Sequence, residues 1–297
     1  MPDISLSVVI ATRNNSKNLL RLLRTLGAQY MLMDHYEVVV VDAQSTDDTD
    51  QVMRGNLFGF RYQFLEAPRP GLMAARNYGV EESRGDHILF LSDDLLAPSS
   101  LLEAHHLAHK QYPHQVVRGP IVHLEAEPMP MLDHPPPCSR LFFTIVNSSV
   151  SKMALMKLGG FAENAEPGVE DREIGWRLHK DGWSEKFLPA AYAWHCRSSG
   201  EGGALGDLET QARLLARSAV AHYLKHPDPA VARTTGIHPM ARASAALTAG
   251  PFVHSMMCRF RETPLGRMPW LQGHVDQQIF MCYYREALEE ELGRHQL

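Results

Sequence analysis

The sequence predicts an α/β fold, with a mostly parallel central sheet flanked by helices and a C-terminal helical extension. Two patterns point there. Over residues 5–91, short apolar runs alternate with helically spaced segments, in the order strand, helix, strand, helix, strand, helix, strand. That alternation calls for parallel strands joined by right-handed crossovers. The run at 88–91 is also apolar throughout, as a strand covered on both faces is. Beyond residue 206 the pattern turns helical.

The first strand is expected over residues 5–11 (SLSVVIA), closed by a polar turn at 12–15. Leu19, Leu22, Leu23 and Leu26 then recur at helical spacing, with Asn15 or Ser16 placed to cap the helix and Gly27 to end it. Residues 36–42 (YEVVVVD) form the second strand and end on Asp42. Ser45 or Thr46 can cap the next helix, whose first turn gains from Asp47 and Asp48. A third strand at 60–66, a turn at 68–71 and a helix at 72–82 lead to residues 87–94, HILFLSDD. Here a buried-type strand ends in a hydroxyl and two adjacent carboxylates, Ser92, Asp93 and Asp94. Such a pair is costly unless a cation joins it, and open α/β sheets bind ligands at the carboxyl ends of their strands. The pattern points to a divalent metal holding a phosphorylated ligand.

The second half is less regular. It predicts a helix at 101–111, a strand at 116–124, a Pro-rich candidate binding loop at 125–137 and a strand at 142–150. A helix at 152–158 is stopped by Gly159 and Gly160. Another helix follows at 169–180, then short strands at 184–188 and 192–195, and a Gly-rich loop at 198–206. Helices are expected at 207–225, around 241–247 and near 275–292.

Within the helix at 169–180, Asp171, Ile174 and Leu178 share one face. If the two apolar residues face the core, Asp171 points inward at the helix mouth, kept ionised by the helix N-terminus. That is the setting of a general base. Arg76 sits in an otherwise apolar helix and is placed to reach a diphosphate. His195 ends a strand beside the Gly-rich loop.

The chain has 297 residues, and its net charge of -5 argues against a nucleic-acid partner. Its four cysteines include no C-x-x-C pair, so neither a zinc knuckle nor a disulfide framework is indicated and a cytoplasmic setting is expected. No apolar window is long enough for a spanning helix. The nearest approach, 241–258, is broken by Arg242, Pro251 and His254. It leaves room for peripheral contact with the inner face of a membrane.

Six fragments in order, SVVIATRNN, VVVVDAQSTDDT, PGLMAARNYGV, GDHILFLSDD, GGFAE with EDREIGWRLHKDG, and WH, resemble the family 2 nucleotide-sugar glycosyltransferases. The likeness covers residues 5–195. It implies the Rossmann-like glycosyltransferase-A fold and an inverting transfer in glycan biosynthesis, from a nucleoside diphosphate-sugar to an acceptor hydroxyl. A UDP-sugar is the favoured donor. By the same resemblance Asp94 is the metal ligand and Asp93 touches the ribose or assists the metal. Asp171 is the base with Glu170 in support, and His195 is a second metal contact that favours Mn²⁺ over Mg²⁺. Thr12, Arg13, Asn15, Asp42, Arg76 and Asn147 would contact the donor. Ser92 replaces the first acid of the usual Asp-x-Asp, and Ala43-Gln44 replace the second acid after Asp42.

Two other classes compete. A sugar-1-phosphate nucleotidyltransferase should carry a Gly-rich loop after the first strand, where this chain has ATRNNSKN. A non-catalytic sugar-nucleotide-binding scaffold should lack one of Asp94, Asp171 or His195. The expected organisation is a catalytic domain over 1–203, with a nucleotide-binding half at 1–98 and an acceptor half at 99–203. A helical extension over 204–297 would carry any homodimer contact. The Gly-rich loop is expected to close as a lid, through Arg197, Gly200, Gly202 and Gly203.

Overall fold

The computed structural model describes residues 4–124, 143–163, 169–196, 205–266 and 268–296. The chain divides into two compact units. The first comprises Met1–Asn164 and Glu170–Ser199, and the second Ala165–Val169 and Gly200–Leu297. The expected boundary after 203 lies outside the described residues, as do the Pro-rich loop at 125–137 and the lid residues Arg197, Gly200, Gly202 and Gly203. The two halves expected within 1–203 share one continuous sheet and one compact unit.

In chain order the first unit runs β1 (Leu6–Thr12), α1 (Ser16–Leu26), β2 (Tyr36–Asp42), α2 (Thr49–Gly55), β3 (Arg61–Glu66), α3 (Leu72–Glu82) and β4 (His87–Leu91). It continues with β5 (Leu95–Leu96), α4 (Leu101–Gln111), β6 (Gln115–Arg118), β7 (Ile121–Leu124), β8 (Asn147–Ser151), α5 (Lys152–Lys157), α6 (Glu170–Lys180), β9 (Ser184–Phe187) and β10 (Ala193–Cys196). Seven strands form the main sheet in the order β3-β2-β1-β4-β8-β6-β9, and β5-β10-β7 form a small second sheet. β1 pairs in parallel with β2 and β4, so Thr12, Asp42 and the acids after β4 leave the sheet at the same edge. β8 runs antiparallel to both β4 and β6, which makes the sheet mixed.

Strand residues alternate between two core layers. Val8, Ile10, Val38 and Val40 meet Leu19, Leu22, Leu23 and Leu26 of α1 on one face. Val9, Val39 and Val41 meet Ala75 and Val80 of α3 on the other. α3 lies very close to the sheet at Gly79, where a Cβ would stand 2.7 Å from Val9 Cγ1 and 3.1 Å from Val41 Cγ2.

Two expected strands differ. The run at 116–124 breaks at Gly119-Pro120, leaving β6 in the main sheet and β7 in the small one. Proline has no N–H for a ladder, and a Cβ at Gly119 would lie 1.6 Å from the Ala191 carbonyl oxygen. The strand expected at 142–150 begins only at Asn147.

The second unit contains α7 (Leu205–Lys225), α8 (Pro229–Thr234), α9 (Pro239–Thr248), α10 (Pro251–Arg261) and α11 (Pro269–Arg294). Its core joins Ala212, Ala216 and Ala219 of α7 to Tyr284, Leu288 and Leu292 of α11. The sequence pattern missed α8 and α10, which both open on a proline, a favourable first helical residue.

Gly79→Ala should cost about 1–3 kcal/mol, because a Val9 or Val41 side chain would have to yield inside a packed layer. Thermal denaturation would show this as a lowered midpoint. An unchanged midpoint would mean that α3 does not depend on the close approach.

Candidate active site

The site is built where β1, β2 and β4 end. After β4 the chain turns through Ser92, Asp93 and Asp94 and at once forms the two-residue strand β5. β5 pairs antiparallel with β10 in the register His195 to Leu95. That pairing sets His195 beside Asp94, with Nε2 3.1 Å from Asp94 Oδ2. Burial pushes the Asp94 carboxyl up, but hydrogen bonds from His195 and Ser92 outweigh it and hold the group below the usual range. Asp94 is therefore a firm anion at neutral pH.

Asp93 turns toward the first strand. Its two oxygens accept from Thr12 Oγ1 at 2.7 Å and from Asn15 Nδ2 at 2.9 Å. Asn15 was expected as a cap for α1, but its side chain makes no cap bond. The α1 terminus is served from the next loop, where Asp47 Oδ2 accepts from the Ser16 N–H at 3.2 Å. Burial raises the Asp93 carboxyl more than these two hydrogen bonds lower it.

The loops after β1 and β2 are tied together. Asp42 is buried, and its carboxylate accepts from the Ser45 N–H at 3.1 and 3.2 Å and from Ser45 Oγ at 2.5 Å. Ser45 Oγ in turn accepts from the Asn14 N–H at 2.9 Å, and Asn14 Oδ1 accepts from the Thr46 N–H at 2.7 Å. Asn14 and Gln44 both adopt left-handed backbone, with φ of 55° and 63°. Such strain in non-glycine residues gathers at functional sites. Asn14 was not singled out by sequence, although asparagine tolerates this conformation; Ser45 was expected to cap α2, but the residue at that cap is Asp48. Arg13 is exposed on the same turn.

Asp171 comes in from α6. Ile174 and Leu178 are fully buried, as their spacing requires, and Asp171 is carried inward with them. The loop before β8 makes the link to β4. The Ser92 N–H donates to the Val146 carbonyl at 3.4 Å, and the Ile145 N–H donates to Asp171 Oδ1 at 2.9 Å. Asp171 is set deep with part of its surface open. Burial pushes its carboxyl up to about 6, against the lowering effect of the Ile145 N–H and of Arg76. The helix N-terminus was expected to keep this group ionised; burial is the largest influence on it and acts in the opposite direction.

Two residues expected to touch the donor have other surroundings. Arg76 is only 6% exposed. Its Nη1 donates to Met73 Sδ at 3.7 Å, and the charges it feels are Asp171, Glu170 and Asp93. Asn147 is fully buried, its Oδ1 3.0 Å from His105 Nε2 and its Nδ2 donating to the Ala191 carbonyl at 2.7 Å. That amide joins β8 to the segment before β10 and is closed off from the surface. Asn77, next to Arg76, holds the turn at Gly160 by pairing with the Phe161 N–H and carbonyl at 2.7 and 2.9 Å.

Among the described residues no three His, Cys, Asp or Glu side chains form a metal-binding group. Two do fit a partial shell. Neighbouring ligands of an octahedral ion with bonds of ~2.1 Å lie about 3 Å apart, close to the 3.1 Å between Asp94 Oδ2 and His195 Nε2. Ions of this class are commonly held by one or two carboxylates plus substrate phosphates.

Residues 7–147 match the family model described as Glycosyl transferase family 2. That segment is similar to the family 2 glycosyltransferases. Over 221 residues it is 30% identical to the validoxylamine A glucosyltransferase of Streptomyces hygroscopicus subsp. jinggangensis, covering 60% of this chain and 52% of the relative. Over 101 residues it is 34% identical to the poly(ribitol-phosphate) beta-N-acetylglucosaminyltransferase TarS of Staphylococcus aureus, covering 33% of this chain and 18% of the relative. The chain thus spans about half, or less, of the length of these curated relatives.

Among solved structures, S. aureus TarS 1-349 in complex with UDP-GlcNAc superposes with a TM-score of 0.60 at 19% identity, covering 98% of this chain and 92% of that one. The mannosyltransferase PcManGT from Pyrobaculum calidifontis, in complex with GDP-Man and Mn²⁺, gives 0.63 at 16%, covering 97% and 86%. Likeness at such identity is one of fold, and the fold is glycosyltransferase-A. Asp171 and His195 lie beyond the matched glycosyltransferase segment, so their assignment rests on the geometry above.

Arg76→Met should raise the Asp171 titration above about 6, since it removes a nearby positive charge that favours the carboxylate. Carbon-13 detected titration of the aspartate carboxyls reads this directly. An unmoved Asp171 midpoint would mean that Arg76 is electrostatically irrelevant to it.

Proposed function

We propose that this chain transfers a sugar from a nucleoside diphosphate-sugar to an acceptor hydroxyl, with metal assistance and inversion at the anomeric carbon. One observation carries the reading: the Asp94–His195 pair and the deep-set Asp171 converge on one strand-end site around Asp93. Among the described residues, Asp93, Asp94, Glu170 and Asp171 outnumber the arginines that act on them, Arg76 and Arg172. A diphosphate entering such a site meets net repulsion unless a cation accompanies it. A nucleotidyltransferase or a mere binding scaffold has no need of a tuned, inward base.

The residues divide the work as follows. Thr12 and Asn15 fix Asp93 in one orientation, suited to accept from a ribose hydroxyl. The Asp42–Ser45–Asn14 connections shape the loops that would receive the nucleobase, with exposed Arg13 free to approach the phosphates. Asp94 and His195 would hold the divalent ion, which when bound supplies positive charge against the departing diphosphate. Asp171 Oδ1 is engaged by the Ile145 N–H, leaving Oδ2 to take the acceptor's proton. A base with a pKa of about 6 is largely ionised at pH 7 yet still basic enough to accept that proton. As the proton moves, the acceptor oxygen bonds to the anomeric carbon and the bond to the diphosphate oxygen breaks. Attack from the opposite face inverts the centre.

The donor expected is a UDP-sugar; TarS is seen with UDP-GlcNAc and PcManGT with GDP-Man. A thermal-shift panel of UDP, GDP, CDP and dTDP, each with and without Mn²⁺, tests the reading, because ligands that bind only the folded state raise its midpoint. One nucleotide should stabilise strongly with Mn²⁺ and weakly without it, and Asp94→Ala should erase the Mn²⁺-dependent part. No shift with any nucleotide, or an equal shift in Asp94→Ala, would contradict the proposal.

A further inference from the structure

α9 and α10 each lean one side on α11. Arg242 of α9 forms a two-point ion pair with Glu289, at 3.0 and 2.5 Å. Arg261 of α10 meets Asp276 at 2.5 Å, and the His254 ring lies 4.5 Å from that of Tyr283. These contacts settle which sides turn outward. On α9 the exposed residues include Met240, Ala243, Ser244 and Leu247, at i, i+3, i+4 and i+7. Phe252, Ser255, Met256 and Arg259 repeat the same spacing on α10.

The outward side of a surface helix is ordinarily polar. Here Met240 is 77% exposed, Leu247 82% and Phe252 80%. The charge pattern is also one-sided. Between Pro229 and Arg261 the chain has four arginines and no acid, although its net charge is -5. Arg242 and Arg261 are spent on their pairs, while Arg233 and Arg259 are exposed with no carboxylate partner among the described residues.

We propose that this outward face of α9 and α10 docks on the surface of an anionic phospholipid bilayer. The apolar side chains would enter the headgroup boundary, and Arg233 and Arg259 would meet lipid phosphates. Helices of 10 and 11 residues are ~15 Å long, half the thickness of a hydrocarbon core of about 30 Å. They can lie in the interface but not cross it. No helix among the described residues is long and apolar enough to span a membrane. A second copy of the chain fits less well. A two-fold contact through this patch would bring the arginines of both copies together, with acids only at its borders, Asp228 and Glu262.

The test is flotation of the full chain with vesicles of phosphatidylcholine alone or mixed with phosphatidylglycerol, alongside sedimentation velocity without lipid. The wild-type chain should float with the anionic vesicles at least about tenfold more than with neutral ones, and less at high salt. Leu247→Glu with Phe252→Glu, and Arg233→Glu with Arg259→Glu, should each cut flotation about tenfold or more with circular dichroism and melting unchanged. Phe252→Ser carries the same test should a double variant not fold. No flotation with anionic vesicles, or variants that float like wild type, would overturn the proposal. So would a lipid-free dimer that Phe252→Ser dissociates, since it would place a second copy on the face.

Discussion

A guanidinium buried among carboxylates is the constraint on which the site depends. Arg76 is enclosed, its Nη1 donates to a thioether, and its charge is answered by Asp171, Glu170 and Asp93. Burying that charge alone would be prohibitive. The arginine is tolerated because α3 brings it to a place where three acids arrive from two other parts of the chain. Gly79 permits that approach by letting α3 lie against Val9 and Val41. The acids gain as well: Arg76 lowers both Asp93 and Asp171 against the burial that raises them. The arrangement still leaves the strand ends acidic, which favours a cation arriving with an anionic donor.

The geometry around this centre is carried by backbone. Asp171 is held by the Ile145 N–H, in a loop that also receives the Ser92 N–H through Val146. Asp94 is met by His195 because a two-residue strand, β5, pairs with β10. Asn14 and Gln44 hold strained backbone where the β1 and β2 loops meet. Asp171 and the Asp94–His195 pair, on different segments, are thereby fixed by strand register and loop hydrogen bonds, which is more exact than long side chains alone would allow.

Much of this was legible in the sequence. The apolar runs of β1, β2 and β4 and the leucines of α1 carry simple periodicities, and the structure places those elements within one or two residues. The inward turn of Asp171 followed from the spacing of Ile174 and Leu178. What stayed hidden depends on long-range pairing. No local pattern shows that β5 exists, that β8 runs antiparallel, or that Gly119 and Pro120 divide one apolar run between two sheets. Arg76 and Asn147 are the instructive cases. Both are polar residues in apolar segments, which reads as ligand binding, yet Asn147 is consumed by His105 and a carbonyl and Arg76 by the site's own acids.

The proposed transfer depends on Asp171 as its base. The decisive measurement is Asp171→Asn assayed for nucleotide affinity and, separately, for release of nucleoside diphosphate from the donor, with water standing in for the acceptor. Affinity should stay within a few-fold of wild type while turnover falls by on the order of 10²–10⁴. The wild-type rate should drop as pH falls through about 6, the range where burial holds this carboxyl, and the variant should lose that limb. Undiminished turnover in Asp171→Asn, with the acid limb intact, would contradict it.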